Sequence, residues 1–272
     1  VQGGWNATVQ DHLLQANVRN DSNSQYGNAT TGSVGYGYFL VPTVRATASW
    51  GTGFQAPTFN NLYYPDSTSG TGSNKTTYQS NSNLQPTKSQ NTEAGLRYDD
   101  GKHAAGVIYY YNDITNLVQY QYQGSSASLG KTYKYANVGR AVIQGVTTTY
   151  DGNIMGLNVN GSVDYQNPLN ADTGAWLAYH PQGFGSLTIE KAVTDWKLGG
   201  QMQVQGPQQT GTTPNATVGG YTVFNLYGNV KLYKDVSLFA RLNNIFDKQY
   251  QTVQNYTTPG SNVFVGLRFD QR

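Results

Sequence analysis

The side chains that most often do chemistry are scarce in this sequence, and their spacing matches no familiar catalytic or metal-binding pattern. The chain has no cysteine and three histidines, His12, His103 and His180. Without cysteine there are no disulfides and no thiolate metal sites. The histidines lie next to predicted turns or loop edges, without a partner at metal-ligand or triad spacing. We therefore predict no catalytic residue, no metal and no cofactor, and expect the chain not to be an enzyme.

Ionisable side chains are few throughout. Charged residues make up 12% of the chain and the net charge is +2, whereas an ordinary globular domain carries roughly 25% charged residues. This balance gives no argument for a nucleic-acid partner. The aromatic content of 13% is high for a disordered chain, since such chains are poor in aromatics. The composition thus indicates an ordered protein with neither a charged surface nor an ordinary apolar core.

Apolar and polar residues alternate with a period of two in several segments of the chain. In HLLQANVRN (12–20), leucine, alanine and valine alternate with glutamine, asparagine and arginine. The same alternation runs through TVRATASWG (43–51), WKLGGQMQVQ (196–205) and NVFVGLRF (262–269). Alternation of this kind predicts β-strands with one apolar and one polar face. No segment has the period of a long amphipathic helix or the length of an apolar membrane-spanning helix.

Strand length and loop length favour a transmembrane barrel over a soluble sandwich. The segments 103–122 and 133–150 exceed the usual strand of about 5–6 residues. Short turns alternate with longer polar segments, as in outer-membrane barrels with short periplasmic turns and long outer loops. The predicted short turns are 9–12, 40–43, 98–102, 151–156, 193–196 and 232–235, and the predicted long segments are 20–28, 55–88, 167–178, 206–219 and 247–261.

Aromatic residues gather near the predicted strand ends, where the interfacial girdles of a barrel lie. The pairs are Tyr36 and Tyr38, Trp50 and Phe54, Tyr109 and Tyr111, and Tyr120 and Tyr122. The fold class is therefore predicted as all-β, an antiparallel transmembrane β-barrel that forms one domain over residues 1–272. Residues 1–11 are a strand stub or tail in this prediction, and 55–88 is a long outer loop.

The pattern predicts thirteen strands, and an all-antiparallel closure needs an even number. Either the first segment is the stub of a strand whose neighbours lie elsewhere, or it lies outside the ladder and residues 12–269 close as about twelve strands. The predicted strands are 1–9, 12–21, 29–40, 43–54, 89–98, 103–122, 133–150, 156–166, 181–192, 196–206, 220–232, 236–246 and 262–269.

The predicted inward faces carry most of the charge. Two interpretations stay open for these residues: the wall of a polar channel that attracts or filters solutes, or simply a hydrated barrel interior. The predicted pore-lining residues are Arg19, Arg45, Glu93, Arg97, Asp164, Lys197, Lys231 and Arg241.

Four stretches together resemble the TonB-dependent outer-membrane receptors. They are SWGTGFQAPTFNNLYYP (49–65), NSNLQPTKSQNTEAGLRY (81–98), NVGRAVIQGV (137–146) and RLNNIFDKQY (241–250). Their order along the chain is that of the family, and the cobalamin transporters are the most similar branch. The resemblance implies the C-terminal half of a 22-stranded barrel in the bacterial outer membrane.

The chain also departs from the family pattern. Ser82 and Thr87 stand where the family has proline and glutamate, 66–79 reads as an inserted loop, and Phe269 is followed by Asp-Gln-Arg. No plug domain and no TonB box are present in this sequence, so the resemblance implies no TonB contact for this chain alone. These departures leave an engineered or truncated chain open.

Outer loops rich in aromatics commonly help to capture ligand in the family, so the resemblance implies an outer ligand contact here. A girdle or loop-packing role is the alternative for these residues. They are Phe54, Phe59, Tyr63, Tyr64 and Tyr78.

Three functions follow as expectations. If the strands close alone, the chain is a passive pore for small polar solutes or ions. Alternatively it is an incomplete fragment of a receptor that imports cobalamin or a siderophore, or a substrate of the barrel-insertion machinery without transport activity. In each case the expected partners are outer-membrane lipid and the insertion machinery.

Overall fold

A computed structural model describes residues 1–25, 27–137, 139–210 and 217–269. Thirteen of its strands form one sheet, in the order β1-β2-β3-β4-β7-β8-β11-β12-β13-β14-β17-β18-β19. All neighbours within this sheet pair antiparallel. The predicted thirteen strands and the all-β antiparallel class are confirmed. Parts of the predicted segments 20–28, 137–146 and 206–219, and the end 270–272, lie outside the described residues.

The strands have the following bounds. The first ten are β1 (Gln2–Val9), β2 (His12–Asn23), β3 (Gly27–Val41), β4 (Val44–Gln55), β5 (Ser67–Ser69), β6 (Thr76–Gln79), β7 (Thr87–Asp99), β8 (His103–Thr115), β9 (Val118–Ser126) and β10 (Gly130–Asn137). The rest are β11 (Arg140–Ile154), β12 (Leu157–Asn170), β13 (Gly183–Val193), β14 (Trp196–Gln205), β15 (Gln208–Gln209), β16 (Thr217–Val218), β17 (Tyr221–Tyr233), β18 (Val236–Asn243) and β19 (Asn262–Phe269).

The strand register places the alternating apolar residues of neighbouring strands on one face. Trp5 lies opposite Ala16, which lies opposite Val34, and Val34 lies opposite Trp50. This outward face stays exposed although it is apolar, as Val163 (61% exposed) shows. A face of this kind is suited to lipid rather than to water, because large contiguous apolar surfaces are rare on soluble monomers.

Six turns of two or three residues lie at one end of the sheet. Two or three residues connect β1 to β2, β3 to β4, β7 to β8, β11 to β12, β13 to β14 and β17 to β18. By analogy with outer-membrane barrels this is the inner end, and the opposite end is the outer end. The predicted long outer segment 20–28 is wrong, because β2 continues to Asn23 and pairs there with Gly27 of β3. β2 and β3 thus stay paired beyond the apolar band, because the hydrogen bonds between their backbones form in water as well as in lipid.

Two predicted strands are each divided in two. Segment 103–122 breaks after β8, where Asn116 has φ +57°, and segment 133–150 breaks before β11, where Gly139 has φ +78°. The left-handed backbone at these two residues ends the ladder because strands require negative φ. The extensions β9 and β10 leave the wall and join β5 and β6 in a separate sheet, ordered β5-β6-β10-β9, which we call the loop sheet.

The outer connection between β4 and β7 carries one short α-helix, α1 (Phe59–Tyr63), and a 3-10 turn at Gly72–Asn74. The Thr58 side chain accepts a hydrogen bond from the backbone N–H of Asn61, and the Asn61 side chain accepts one from Thr58. This reciprocal cap starts the helix. Within the described ranges, no helix is long and apolar enough to cross a membrane.

The two edge strands decide between the closure alternatives. All eight residues of β1 pair with β2, so the first segment lies inside the ladder. A twelve-strand ladder that excludes it is therefore not what the structure adopts. In the described part of the chain, β1 pairs only with β2 and β19 only with β18. Both edge strands run from the outer to the inner end, so they are parallel to each other.

Candidate functional site

The register places all eight predicted pore-lining residues on the inward face. Arg45 lies opposite Arg97, Asp164 lies opposite Thr147, and Arg241 lies opposite Tyr227. The remaining five follow the same alternation in their strands: Arg19, Glu93, Lys197, Lys231 and, by its pairing with Arg45, Arg97. Whether they line an open lumen stays a prediction.

Asp164 is the centre of one inward network. It is buried, and its carboxylate accepts hydrogen bonds from Tyr110 Oη at 2.9 Å and from Thr147 Oγ1 at 2.5 Å. Tyr110 Oη also lies 3.2 Å from Gln166 Oε1. The Tyr110 ring lies across Gly145, where an added Cβ would stand 2.6 Å from Oη. Glycine is thus required there because the tyrosine crosses the neighbouring strand to reach the carboxylate.

A second inward network surrounds Glu190, which is not among the predicted pore-lining residues. Lys197 Nζ lies 2.7 Å from Glu190 Oε1, and Tyr227 Oη donates to Oε2 at 3.1 Å. Tyr227 covers Gly199 as Tyr110 covers Gly145. Two predicted pore-lining residues therefore lie close to Tyr227. Lys197 shares its partner Glu190, and Arg241 is its register partner on β18.

Arg241 is also held by amide oxygens. Its Nε donates to Asn243 Oδ1 at 2.6 Å, and its Nη2 donates to Gln201 Oε1 at 2.9 Å. Asn225 Nδ2 donates to the same Gln201 oxygen at 3.2 Å. Amide oxygens, not a carboxylate, thus accept both of these guanidinium hydrogen bonds.

The other predicted pore-lining charges lie elsewhere on the inward face. Arg45 and Arg97 share a concavity of about 480 Å³ near the inner end, together with Asp99 and Asp151. Arg19 pairs with Asp21 at 2.7 Å. Glu93 accepts a hydrogen bond from Asn91, and its register partner on the next strand is Tyr110. Lys231 lies opposite Ser237.

The histidines form no site together. His12 Nδ1 lies 2.8 Å from Tyr36 Oη, and His103 Nδ1 lies 2.8 Å from Tyr150 Oη, both near the inner end. His180 Nδ1 donates to the Ala178 carbonyl at 2.7 Å. Among the residues that the structure describes, no group of three His, Cys, Asp or Glu side chains is placed to hold a metal ion.

The predicted outer-loop contacts divide into two groups. Tyr64 and Tyr78 line a concavity of about 510 Å³ on the loop sheet. Phe59 and Tyr63 lie on α1 with ring centroids 6.4 Å apart, outside this concavity. Phe54 lies on β4 opposite Lys88, at the outer end of the wall.

Tyr120 and Tyr122 belong to the loop sheet, so their predicted place in a membrane girdle is wrong. They face Tyr135 and Tyr133 across the β9–β10 pair. Burial and the neighbouring Tyr135 hydroxyl raise the pKa of Tyr120. The sequence shows these tyrosines as alternating residues, yet it cannot show that β9 and β10 leave the wall.

Taken together, a one-sheet wall with an apolar outward face, a hydrogen-bonded polar inward face and elaborate outer loops defines an outer-membrane-type transport barrel. The family model described as "TonB dependent receptor-like, beta-barrel" matches residues 1–245. The chain belongs to this family. TonB-dependent receptor barrels are outer-membrane proteins of Gram-negative bacteria, and they are transporters and receptors, not enzymes.

Curated relatives are similar over part of their length. The vitamin B12 transporter BtuB of Vibrio vulnificus is 27% identical over 94% of this chain and 40% of its own length. BtuB of Photobacterium profundum is 26% identical over 91% of this chain and 39% of its own. The chain thus spans less than half the length of these relatives.

Solved structures show the same fold. The ferric enterobactin receptor PfeA of Pseudomonas aeruginosa superposes with a TM-score of 0.80 at 21% identity, over 96% of this chain and 43% of its own. The copper transporter OprC superposes with a TM-score of 0.78 at 19% identity, over 98% of this chain and 46% of its own.

Proposed function

We propose that this chain forms the C-terminal part of the barrel wall of a TonB-dependent nutrient receptor that imports a cobalamin or a siderophore. Family membership supports this proposal, as do the relatives called vitamin B12 transporters and the solved structure called a ferric enterobactin receptor. In such a receptor the inward networks would face the transport path, and the outer loops would meet the ligand first.

The observation that carries the proposal is the direction of the edge strands. β1 and β19 run the same way and are not paired with each other in the described part of the sheet. An antiparallel barrel can join them only through an odd number of further strands. The 22-stranded barrels of outer-membrane transporters meet this requirement. The direction of the edge strands therefore supports a wall that another segment completes.

Uptake by a receptor-null strain tests the proposal. The protein in its full natural length is expressed in Gram-negative cells that lack their own cobalamin and ferric-siderophore receptors. We expect accumulation of one of these labelled nutrients, and its loss when TonB is deleted. Uptake that persists without TonB, or no uptake from a barrel that is folded and surface-exposed, would contradict the proposal.

A second candidate, passive diffusion of small polar solutes through the chain by itself, is favoured by the continuous polar inward face. Because the chain has no cysteine, introduced cysteine pairs report closure directly. Ala7→Cys with Leu14→Cys, at opposed positions of β1 and β2, is the positive control for disulfide formation. Ala7→Cys combined in turn with cysteines at Val263, Val265 and Leu267 of β19 tests closure.

Single-channel conductance of the 272-residue chain in a planar bilayer completes this test. If the chain is a receptor segment, the β1–β19 pairs stay reduced while the control pair oxidises, and no uniform conductance steps appear. A β1–β19 disulfide with steady steps would instead establish the passive pore. If the chain inserts efficiently but conducts no ions, and the full-length protein takes up no nutrient, the chain is a substrate of the insertion machinery without transport activity.

A further inference from the structure

Five tyrosines share one face of the loop sheet, which we call the tyrosine face: Tyr78, Tyr120, Tyr122, Tyr133 and Tyr135. Their rings form a continuous series of contacts. Centroid distances are 5.4 Å for Tyr122–Tyr133, 5.6 Å for Tyr133–Tyr78, 5.1 Å for Tyr78–Tyr120 and 3.9 Å for Tyr120–Tyr135. Because β6, β9 and β10 place alternate residues on the same side, the row follows from the register.

The opposite face of the loop sheet is the buried one. Thr77 and Thr132, which are register partners, are buried there, and Thr77 Oγ1 donates to the Leu129 carbonyl at 2.7 Å. The tyrosine face in contrast stays open, with Tyr120 43% and Tyr122 53% exposed. Aromatic rings needed only to hold the hairpin together would be expected to bury more of their surface.

A concavity of about 510 Å³ opens on the tyrosine face towards the segment after α1. Its size is that of a small-ligand site. No charged side chain contributes to its lining, which consists of Asn60, Tyr64, Pro65, Ser67, Tyr78, Gln79, Ser80, Tyr120 and Tyr135. Rings, hydroxyls and amides are therefore the only side-chain groups offered to a ligand besides one proline.

The lysines in and next to the loop sheet lie outside the lining of the concavity. Lys75 Nζ donates a hydrogen bond to the Ser128 carbonyl. Lys134 lies on the face of the loop sheet opposite to that of Tyr133 and Tyr135. Lys131 shares the side of Tyr133 but lies outside the lining of the concavity. An anionic ligand in the concavity would thus meet no charged side chain in its lining.

We propose that the tyrosine face and its concavity bind a neutral carbohydrate. The apolar C–H faces of sugar rings stack on aromatic rings, and their hydroxyls pair with the tyrosine, serine and amide groups around them. A row of rings in contact suits an oligosaccharide, because successive sugar units can each meet one ring. Tyrosine provides this contact at low entropic cost, since few side-chain torsions are ordered on binding.

This inference rests on the proposed function only in placing the loop sheet at the outer end of a surface-exposed barrel. The two can fail separately. TonB-dependent uptake without sugar binding would support the proposed receptor function and contradict the carbohydrate site. Sugar binding without uptake would support the carbohydrate site and contradict the receptor function.

Calorimetric titration of the full-length protein tests the inference. The micelles are of an amine-oxide detergent, since maltoside and glucoside headgroups would compete for the site. The probes are maltoheptaose, cellohexaose and laminarihexaose as neutral oligosaccharides, with a sulfated dextran oligosaccharide as the anionic comparison. We expect saturable binding of at least one neutral probe, with an affinity unchanged between low and high salt because no ion pair forms.

Variants assign the binding to the tyrosine face. Tyr120→Ala and Tyr122→Ala should each weaken binding about ten-fold, as loss of one stacking ring does elsewhere. Tyr120→Phe keeps the ring and should keep most of the affinity. Tyr256→Ala is the matched control, since Tyr256 is 72% exposed in another outer loop.

Three results would overturn the inference: no binding of any neutral probe by folded protein, binding that favours the anionic probe and falls with salt, or equal binding by the Tyr120→Ala and Tyr256→Ala proteins. Each variant is first checked for the heat-modifiable gel mobility of a folded barrel. Tyr122→Ala, at the exposed end of the row, keeps the test valid if Tyr120→Ala does not fold.

Discussion

The outward and inward faces of the thirteen-stranded sheet share one backbone ladder and differ in what their side chains require. On β12, Val163 faces outward and is 61% exposed, whereas its neighbour Asp164 faces inward and is 8% exposed. Val163 needs only an apolar surrounding, which lipid supplies. Asp164 needs Tyr110 and Thr147, two particular donors on two other strands. Outward positions should therefore tolerate any apolar side chain, and inward network positions should not.

The largest effect is expected from a charge on the outward face. Val163→Arg places a guanidinium near the middle of the apolar band, so it should lower the free energy of unfolding by about 2–4 kcal/mol. Equilibrium unfolding by urea in lipid vesicles measures this. The matched control is Ser162→Arg on the inward face of the same strand, where water and polar groups are available. Equal losses for both variants would show that the two faces do not differ in solvent.

A smaller loss is expected within the inward network. Asp164→Ala removes the common acceptor of the half-buried Thr147 and Tyr110 hydroxyls, at a cost of about 2 kcal/mol. The same urea experiment applies, with Tyr110→Phe and the double variant to complete a double-mutant cycle. Strictly additive losses would mean that Tyr110 and Asp164 stabilise the wall independently.

Aromatic–glycine pairs should also be sensitive, by about 1–2 kcal/mol. Gly145→Ala puts a Cβ 2.6 Å from Tyr110 Oη and 2.6 Å from the Tyr165 carbonyl oxygen, so both the ring and the β12 backbone must shift, as in other overpacked sites. Gly3→Ala is the control, because nothing lies within 4 Å of its added Cβ. Thermal unfolding of the two variants should separate them; a neutral Gly145→Ala would show that the ring and the neighbouring backbone relax without loss.

The smallest effect concerns neither face but an inner turn. Backbone N–H groups of His103 and Lys102 donate to Asp100, and with the Tyr98 hydroxyl they lower the pKa of its carboxyl to about 2. Because the folded pKa lies below the unfolded value, the turn is stabilised above about pH 4 and loses this contribution as the pH falls towards 2.

Melting temperatures across this acid range check the effect of Asp100. Wild type should lose a little more stability between pH 4 and pH 2 than Asp100→Asn, which has no proton to bind. Identical slopes for the two proteins would show that the turn does not depend on the ionised carboxylate.

Strand number, strand faces and the sidedness of the turns could be read from the sequence, because each depends on neighbouring residues. The period of two places Arg45 and Asp164 inward without any knowledge of their partners. The partners themselves could not be read: Tyr110 and Asp164 are 54 residues apart and meet only through the register of β8, β11 and β12. Glu190 and Tyr227 were missed for the same reason.

The loop sheet shows the limit most clearly. Alternation continues across Asn116 and across the segment before Arg140, so the sequence predicts unbroken strands there. The positive φ of Asn116 and Gly139 allows the chain to leave the wall and collect its tyrosines on one face.

By itself the sequence determined an antiparallel barrel wall with a lipid face and a polar face. Alternation is a local property of the sequence, and every strand of a membrane barrel needs an apolar face towards lipid. Only the tertiary structure decided which inward groups bond to one another, where the outer tyrosines gather and that the first segment lies inside the ladder. These depend on register and topology, which are set by pairings between residues far apart in the chain.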